Sequence, residues 1–296
     1  MNILIFGGSG FLGSFVADEF TKQGHHVTIF DKTPSAYLQH SQEMVVGNLL
    51  DRQAVHEVVD GQDLVYNFAG FADLNASINN PLPVLELNIL GNANVLDACV
   101  THSVSRFVYA STAYVFSSKG SFYGVSKRCS EKIIEEFSRQ YDLDYTIIRY
   151  GSVYGPRSDS QNRIYKLVKQ ALVERKITFQ GDGEEEREYI HVQDAATLSV
   201  QILAEQYRNQ HVILTGVERF KYSQLLNMIR EMMDDGIDIE YLHSEYQGHY
   251  TYTPYSFTPE PGKKMICNPF IDFGQGLLQT ISEIHQTMQT ESVIPQ

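Results

Sequence analysis

The chain opens with a short run, Asn2 to Phe6, apolar from Ile3 onward, that passes without a linker into Gly7-Gly8-Ser9-Gly10-Phe11-Leu12-Gly13. Phe11, Leu12, Phe15, Val16 and Phe20 then recur at helical spacing. A buried strand turning on glycine straight into an amphipathic helix constrains the fold more than any other feature, because it begins a βαβ crossover. The rhythm continues. Further strands are expected at Val27–Phe30, ending at Asp31, and at Met44–Val46, Leu64–Phe68, Arg106–Ala110 and Tyr145–Arg149. Helices are expected near 51–59, 81–101 and 124–140. This alternation through residue 149 predicts an α/β protein with a doubly wound parallel sheet covered by helices on both faces.

After Gly155-Pro156 the pattern loosens. A helix near 162–174 leads to a Gly181-Asp182-Gly183 turn and the charged run Glu184 to Glu188. A helix near 193–207 and the strand Val212–Leu214 read as a return to the sheet. Residues 243–264, rich in Tyr, Thr, Pro and Gly, are expected to be irregular, and an amphipathic helix near 276–289 follows. The division implied is a Rossmann domain over 1–151, rejoined by 192–214, with a smaller C-terminal substrate-binding lobe from 152–191 and 215–296. That lobe belongs at the carboxyl ends of the strands, where open α/β sheets bind ligands.

With 43% hydrophobic and 20% charged residues, the composition excludes a disordered or collagen-like chain. The net charge of −13 argues against a nucleic-acid partner, although a few local donors suffice for one small phosphate ligand. No apolar run has membrane-spanning length, and no basic leader with a cleavage site precedes the first strand. Cys99, Cys129 and Cys267 form neither a disulfide framework nor a metal quartet and suit a reducing compartment. A soluble cytoplasmic protein without a membrane partner is expected.

Gly7, Gly10 and Gly13, placed between strand and helix, allow a tight turn, close approach to a pyrophosphate, and packing of helix on sheet. Asp31, at the end of the second strand, is positioned to accept hydrogen bonds from ribose hydroxyls and to repel a 2′-phosphate. The expected cofactor is therefore NAD rather than NADP, a preference that Lys32 weakens. Farther on, Tyr123 and Lys127 lie four residues apart at a helix start and share one face. A free tyrosine has a pKa of about 10, and a nearby ammonium favours its phenolate. In isolation such a pair is a surface helix contact. Behind a dinucleotide turn, with Ser111-Thr112 upstream, it reads as a base that takes a proton from a sugar hydroxyl while hydride leaves the same carbon. His25 and His26 read as solvated turn residues, His191 as a structural hydrogen bonder, and no cluster has metal-ligand spacing.

These pieces together resemble an extended short-chain dehydrogenase/reductase of the NAD-dependent epimerase/dehydratase family, which acts on nucleotide sugars. The glycine segment, Asp31, Asn67-Phe68-Ala69-Gly70, and Asn88 with Gly91 carry the likeness. So do Ser111 to Phe116, Tyr123 with Lys127, Arg149 to Arg157, and Gly181-Asp182-Gly183 followed by Arg187 to Val192. The resemblance implies that Thr112, Tyr123 and Lys127 are catalytic, with Lys127 also on the nicotinamide ribose. It places Phe11, Leu12, Asn48 and Leu49 on the cofactor, the last two beside the adenine. Ala69 and Gly70 line its phosphates and ribose, Tyr150 and Val153 flank the nicotinamide, and Phe68, Asn88 and Ser111 complete the contacts. Arg187 matches the arginine used on the substrate diphosphate, where its solvated-charge alternative is a run with Glu184–Glu186.

Three departures from the family pattern matter. Ser152 replaces an asparagine near the diphosphate. Ala113 follows Thr112 where the 4,6-dehydratases carry an Asp-Glu pair, which argues against dehydration. Only ten residues separate Thr112 from Tyr123, so the sugar pocket is expected to be more open there, with the 243–264 segment as its cover; Tyr250, Tyr252, Tyr255, Lys263 and Lys264 in that segment read either as nucleotide contacts or as a packed aromatic loop. The expected activity is NAD-dependent oxidation of a nucleotide sugar at C4. Epimerisation, one-way dehydrogenation and 4-keto-sugar reduction remain alternatives, and a non-catalytic NAD sensor is a fourth. A homodimer is expected through apolar stripes on the helices near 81–101 (Val84, Leu87, Leu90, Val95) and 124–140 (Ile133, Ile134, Phe137), which family members pair into a four-helix bundle.

Overall fold

Strand β1 (Asn2–Phe6) is buried from Ile3 onward and pairs in parallel with β2 (His26–Asp31) on one side and β4 (Leu64–Asn67) on the other. The computed structural model describes residues 1–117, 119–233, 236–242, 263–265, 267 and 270–291. Beyond β2 lies β3 (Gln42–Val46), and beyond β4 lie β5 (Arg106–Thr112), β6 (Tyr145–Tyr150), β10 (Gln210–Leu214) and β13 (Lys263–Met265). Among the described residues this sheet has eight strands in the order β13-β10-β6-β5-β4-β1-β2-β3, all paired in parallel. The chain runs outward from β1 to β3, then returns to the opposite side of β1. Strand order therefore reverses between β1 and β4, which leaves a crevice at their carboxyl ends.

Side chains of β1 alternate between two cores, as a sheet covered on both faces requires. Ile3 and Ile5 pack with Val16 and Phe20 of α1 (Phe11–Lys22) and Ala195 of α8 (Val192–Gln201). Leu4 and Phe6 pack with Val55 of α2 (Arg52–Val59), Val95 and Leu96 of α5 (Asn92–Thr101), and Ile134 of α6 (Ser121–Tyr141).

Several local expectations needed correction. The stretch 81–101 is not one regular helix: α3 (Leu74–Asn79) precedes α4 (Pro81–Leu85), and a π-helical turn at Glu86–Gly91 joins α4 to α5. That wider turn buries Asn88. Helix α6 begins at Ser121, earlier than expected, after Gly120 adopts a left-handed φ of +98°.

The rest of the chain builds a three-stranded sheet from β7 (Ser152–Tyr154), β9 (Glu186–His191) and β11 (Arg219–Lys221). It also pairs β8 (Lys176–Gln180) with β12 (Asp238–Leu242). Ile164 and Val168 of α7 (Arg163–Glu174), Phe179, Leu225 and Ile229 of α9 (Tyr222–Met232), and Leu277 of α10 (Phe273–Glu291) form a separate core. Sequence reasoning had placed no element at α3, α9, β11 or β12. Within the stretch 243–264, expected to be irregular, Lys263 and Lys264 enter the outermost strand; Tyr250, Tyr252 and Tyr255 lie outside the described residues.

Arg157 links the two cores. Its backbone N–H donates to the Glu283 carboxylate on α10 at 2.8 Å, and its guanidinium pairs with Asp18 of α1 at 2.7 Å while lying over the Phe15 and Tyr37 rings.

His191 caps α8, its Nδ1 accepting the Gln193 N–H at 3.3 Å, and its burial lowers its pKa from 6.5 to about 4. Below pH 6.5 the unfolded chain gains a proton there that the folded chain refuses until about pH 4. Stability should therefore fall through that window, His191 contributing roughly 3 kcal/mol of the loss. Melting temperatures from pH 7 to pH 4 should decline less steeply in His191→Gln than in the unmodified protein.

Candidate active site

The glycine turn sits at the reversal of strand order. Gly7 has φ +76°, and a Cβ there would lie 2.6 Å from the Ala69 nitrogen just past β4. A Cβ on Gly13 would lie 2.3 Å from the Gly7 carbonyl oxygen, so α1 packs directly on the turn. Gly10, the N-cap, has no side chain to cap α1, which leaves the N–H groups of its first turn, at Phe11 and Leu12, available to an anion. Asp31 Oδ2 accepts the Ser9 N–H at 3.1 Å and Oδ1 accepts the Thr33 N–H at 3.4 Å. An ionised carboxylate has further lone pairs for ribose hydroxyls. Uncapped helix donors beside an acidic strand end fit a dinucleotide.

The other expected cofactor contacts divide by what they touch. Lys32 and Asn48 line an open cleft with Gly47, Leu50, Pro83 and Leu87. Leu49 turns instead into the core, where a Cβ on Gly91 would meet its side chain. Asn88 Oδ1 accepts the Phe71 N–H at 2.7 Å, and its Nδ2 donates to Phe71 O at 3.1 Å and to Ser126 Oγ at 2.9 Å. Its amide thus fastens the Ala69–Gly70 loop to α6. Phe68 packs at 6.3 Å from Tyr150, whose hydroxyl meets Ser199 Oγ at 2.6 Å inside the core. Val153, half-buried on β7, packs against the core beneath the crevice.

Thr112 ends β5, and its Oγ1 accepts the Tyr114 N–H at 3.3 Å. Its side chain also faces that of Tyr123, in the first turn of α6, and works to lower the phenol's pKa. One turn later Lys127 Nζ donates to Ala110 O at 2.8 Å and lies 4.6 Å from the centre of the Tyr109 ring. The short connection folds into a 3-10 turn at Ala113–Phe116, held by Arg128 donating to Val115 O at 2.9 Å and to Ser117 O at 3.3 Å. Tyr114 meets Tyr123 edge-on at 6.3 Å, and a Cβ on Gly120 would lie 2.9 Å from the Tyr114 ring. Tyr114 therefore packs between Gly120 and Tyr123.

Burial raises the Tyr123 pKa above its ordinary value, and the Thr112 side chain partly offsets this. Burial lowers Lys127 to about 8, opposed by Glu131. One Lys127 N–H is directed at Ala110 O, and in this arrangement desolvation is the largest influence on the Tyr123 phenol.

Glu131 was missed by sequence reasoning. A carboxylate four residues beyond a lysine ordinarily signals a solvent-facing helix pair. Here it is only 2% exposed and bonded to Ser111 of β5 and Arg149 of β6. Ser111 thus faces Glu131 through its hydroxyl. The substrate candidates belong to other elements: Ser152 begins β7, and Arg187 on β9 is buried, donating to Glu186 O at 2.7 Å with its guanidinium 5.5 Å from the Tyr222 ring. Among the described residues no group of His, Cys, Asp and Glu is arranged to hold a metal ion, and no helix is long and apolar enough to cross a membrane.

The sequence profile of the NAD-dependent epimerase/dehydratase family matches residues 3–216. The chain belongs to this family, and its cofactor is NAD. An uncharacterised UDP-glucose epimerase of Bacillus subtilis is 26% identical over 78% of this chain and 82% of its own length. A UDP-N-acetyl-α-D-glucosaminuronate decarboxylase of Bacillus cytotoxicus is 25% identical over 94% and 96% of the two chains. Among solved structures, the UDP-glucose 4-epimerase of Thermotoga maritima, with UDP-glucose, superposes at a TM-score of 0.84 with 22% identity, covering 97% of this chain and all of that one. The UDP-glucuronic acid 4-epimerase of Bacillus cereus, with UDP-glucuronic acid and NAD, gives 0.85 at 21% identity and the same coverage.

If Asp31 selects the cofactor, the unmodified protein should bind NAD more tightly than NADP in calorimetry. Asp31→Ala should narrow that gap by removing an attraction for one and a repulsion for the other. Equal affinities in the unmodified protein would overturn the role given to Asp31.

Proposed function

We propose that this protein oxidises a nucleotide sugar at ring C4 and returns hydride to the same carbon, making it a sugar-nucleotide 4-epimerase with Tyr123 as the base. The observation that carries this reading is the convergence of Thr112, at the end of β5, on the Tyr123 phenol in the first turn of α6, with Lys127 one turn along the same helix. Bound NAD supplies the hydride acceptor. Thr112 and Tyr123 together hold the reacting hydroxyl, and Tyr123, ionised to the phenolate once the site is loaded, accepts its proton as the carbonyl forms. A cationic Lys127 lowers the cost of the phenolate and holds the cofactor ribose. Turning the 4-keto sugar over, with hydride returned to its opposite face and the proton returned through Tyr123, would complete the cycle with inversion at C4 and no net redox change.

Elimination needs an acid beside the base. Ala113 is buried and Tyr114 packs on Tyr123 at the positions where dehydratases carry their acid pair, which supports epimerisation over dehydration. The relatives named for epimerases support the same reading. Residues 152–191 and 215–296 form the substrate lobe in this proposal, with Arg187 and Ser152 on the diphosphate. The reducing cytoplasm suits the free thiols of Cys99, Cys129 and Cys267.

The decisive assay supplies UDP-, GDP-, CDP- and dTDP-sugars and follows product stereochemistry by NMR together with NADH absorbance. Inverted product without added NAD is expected. Net NADH formation would instead indicate a one-way 4-dehydrogenase, and binding of NAD with no response to any nucleotide sugar would indicate a sensor.

Tyr123→Phe should keep the fold and NAD binding while lowering turnover by ~10²- to 10⁴-fold. Lys127→Met should impair NAD binding more, and Thr112→Val should cost less than either. Near-full activity of Tyr123→Phe would sink the mechanism.

The protein is also proposed to be a homodimer, through Leu90 of the expected stripes together with exposed residues outside them. Val84, Val95 and Ile134 are buried in their own subunit, whereas Leu82, Leu90, Phe122 and Val125 are exposed on neighbouring helical segments. Light scattering at micromolar concentration should give twice the 33.6 kDa chain mass; a monomer mass would remove this proposal.

A further inference from the structure

We propose that Glu131 is a positioning residue for the reaction, a buried carboxylate that fixes Thr112 through its neighbour Ser111 and serves as the counter-charge of Lys127. The inference rests on the roles given above to Thr112, Tyr123 and Lys127. Glu131 is 2% exposed and Arg149 3%. Oε1 of Glu131 accepts the Ser111 hydroxyl at 2.5 Å and Arg149 Nε at 3.1 Å, while Oε2 accepts Arg149 Nη2 at 2.8 Å. One carboxylate therefore ties α6 to both β5 and β6.

The tie lies at the level where the chemistry emerges. Ser111 is paired with Arg149 across the two strands, and the next pair along is Thr112 with Tyr150. On α6, Glu131 follows Lys127 by one turn and Tyr123 by two, so all three lie along one side of the helix. A residue holding Ser111 from α6 thereby sets the separation between the Thr112 hydroxyl on β5 and the Tyr123 phenol on α6.

The electrostatic role follows from burial. Lys127 lies within the protein against the Tyr109 ring of β5, with Tyr123 and Glu131 on its own helix. Desolvation works against its charge, and Glu131 works in its favour. Arg149 from β6 lies across Glu131, and His211 of β10 stands 3.7 Å from Glu131 and 3.1 Å from Glu135. Lys132 also acts on His211, whose pKa is pushed below 6.5, mainly by burial. His211 therefore ionises in the acid range, well separated from Lys127, which ionises at about 8. A purely structural brace would stabilise the fold without altering the ionisation of Lys127, and this difference can be measured.

Ligand-free protein labelled with ¹⁵N-lysine allows the side-chain nitrogen of Lys127 to be titrated by NMR, with Lys127→Arg identifying the signal. In Glu131→Gln the midpoint should fall by about one pH unit or more. The alkaline limb of kcat should move down in the same direction, with KM for the sugar nucleotide changed less than kcat. Because Glu131→Gln leaves Arg149 buried without its partner, Glu131→Met/Arg149→Met removes both charges and keeps the test open if the single variant does not fold. The double variant should lower the midpoint by a smaller amount, because it removes the like-charged guanidinium together with the carboxylate. An unchanged Lys127 midpoint in the folded variants overturns the proposal, as does a shifted midpoint with an unmoved kcat limb. The titration needs neither substrate nor cofactor, so it fails or succeeds separately from the epimerase assay.

Discussion

Backbone meets backbone where β1 and β4 diverge, and the rest of the site depends on that approach. The Gly7 turn has no room for a Cβ against Ala69, and α1 has none at Gly13 against Gly7. These contacts bring the uncapped start of α1 to the crevice where strand order reverses. They also set the Asp31 carboxylate against the Ser9 N–H, so the acidic strand end and the glycine turn become one rigid unit. A side chain at either glycine would force the helix away from the sheet and separate the helix donors from the carboxylate.

The opposite wall of the crevice is organised by buried polar groups rather than by close backbone contact. Asn88 bonds the loop after β4 to α6, and the Glu131–Arg149 pair bonds α6 to β5 and β6. Buried polar groups carry a large penalty unless their hydrogen bonds are made, so each of these contacts favours a single arrangement of its elements. That arrangement sets Thr112 against Tyr123. The same burial that fixes the geometry opposes charge on both Tyr123 and Lys127. Chemistry at this site therefore depends on local partners that restore the charged forms.

Relatives named for an epimerase, a decarboxylase and 4,6-dehydratases share the coverage described above or a similar share of this chain. A common scaffold whose members are named for different reactions leaves the residues around the proposed base, Tyr123, as the place where the outcome can differ. In this chain the immediate neighbours are Ala113, Tyr114 and the tightly folded connection to α6. The ring of Tyr114 is clasped between Gly120 and Tyr123.

The parallel sheet, the glycine turn, Asp31 and the Thr112/Tyr123/Lys127 set were legible in the sequence, because strand and helix periodicities are local and these residues sit at junctions marked by them. The irregular helical stretch at 81–101, the helix at Tyr222–Met232 and the outer strand at Lys263–Met265 were not, since their boundaries follow from what packs on them. The direction each polar side chain takes was also beyond local pattern. Asn88 and Ser111 carry family-like identities, yet their hydrogen bonds run to α6, and Tyr150 turns its hydroxyl to Ser199. Glu131 shows the limit most plainly: four residues from a lysine it has the spacing of a surface ion pair, and only the convergence of β5, β6 and α6 removes it from water. Sequence by itself determined which groups are present and on which elements they lie. Tertiary packing decided which of them are buried, which partners satisfy them, and therefore which charges the site can sustain, because desolvation depends on everything around a group and not on its neighbours along the chain.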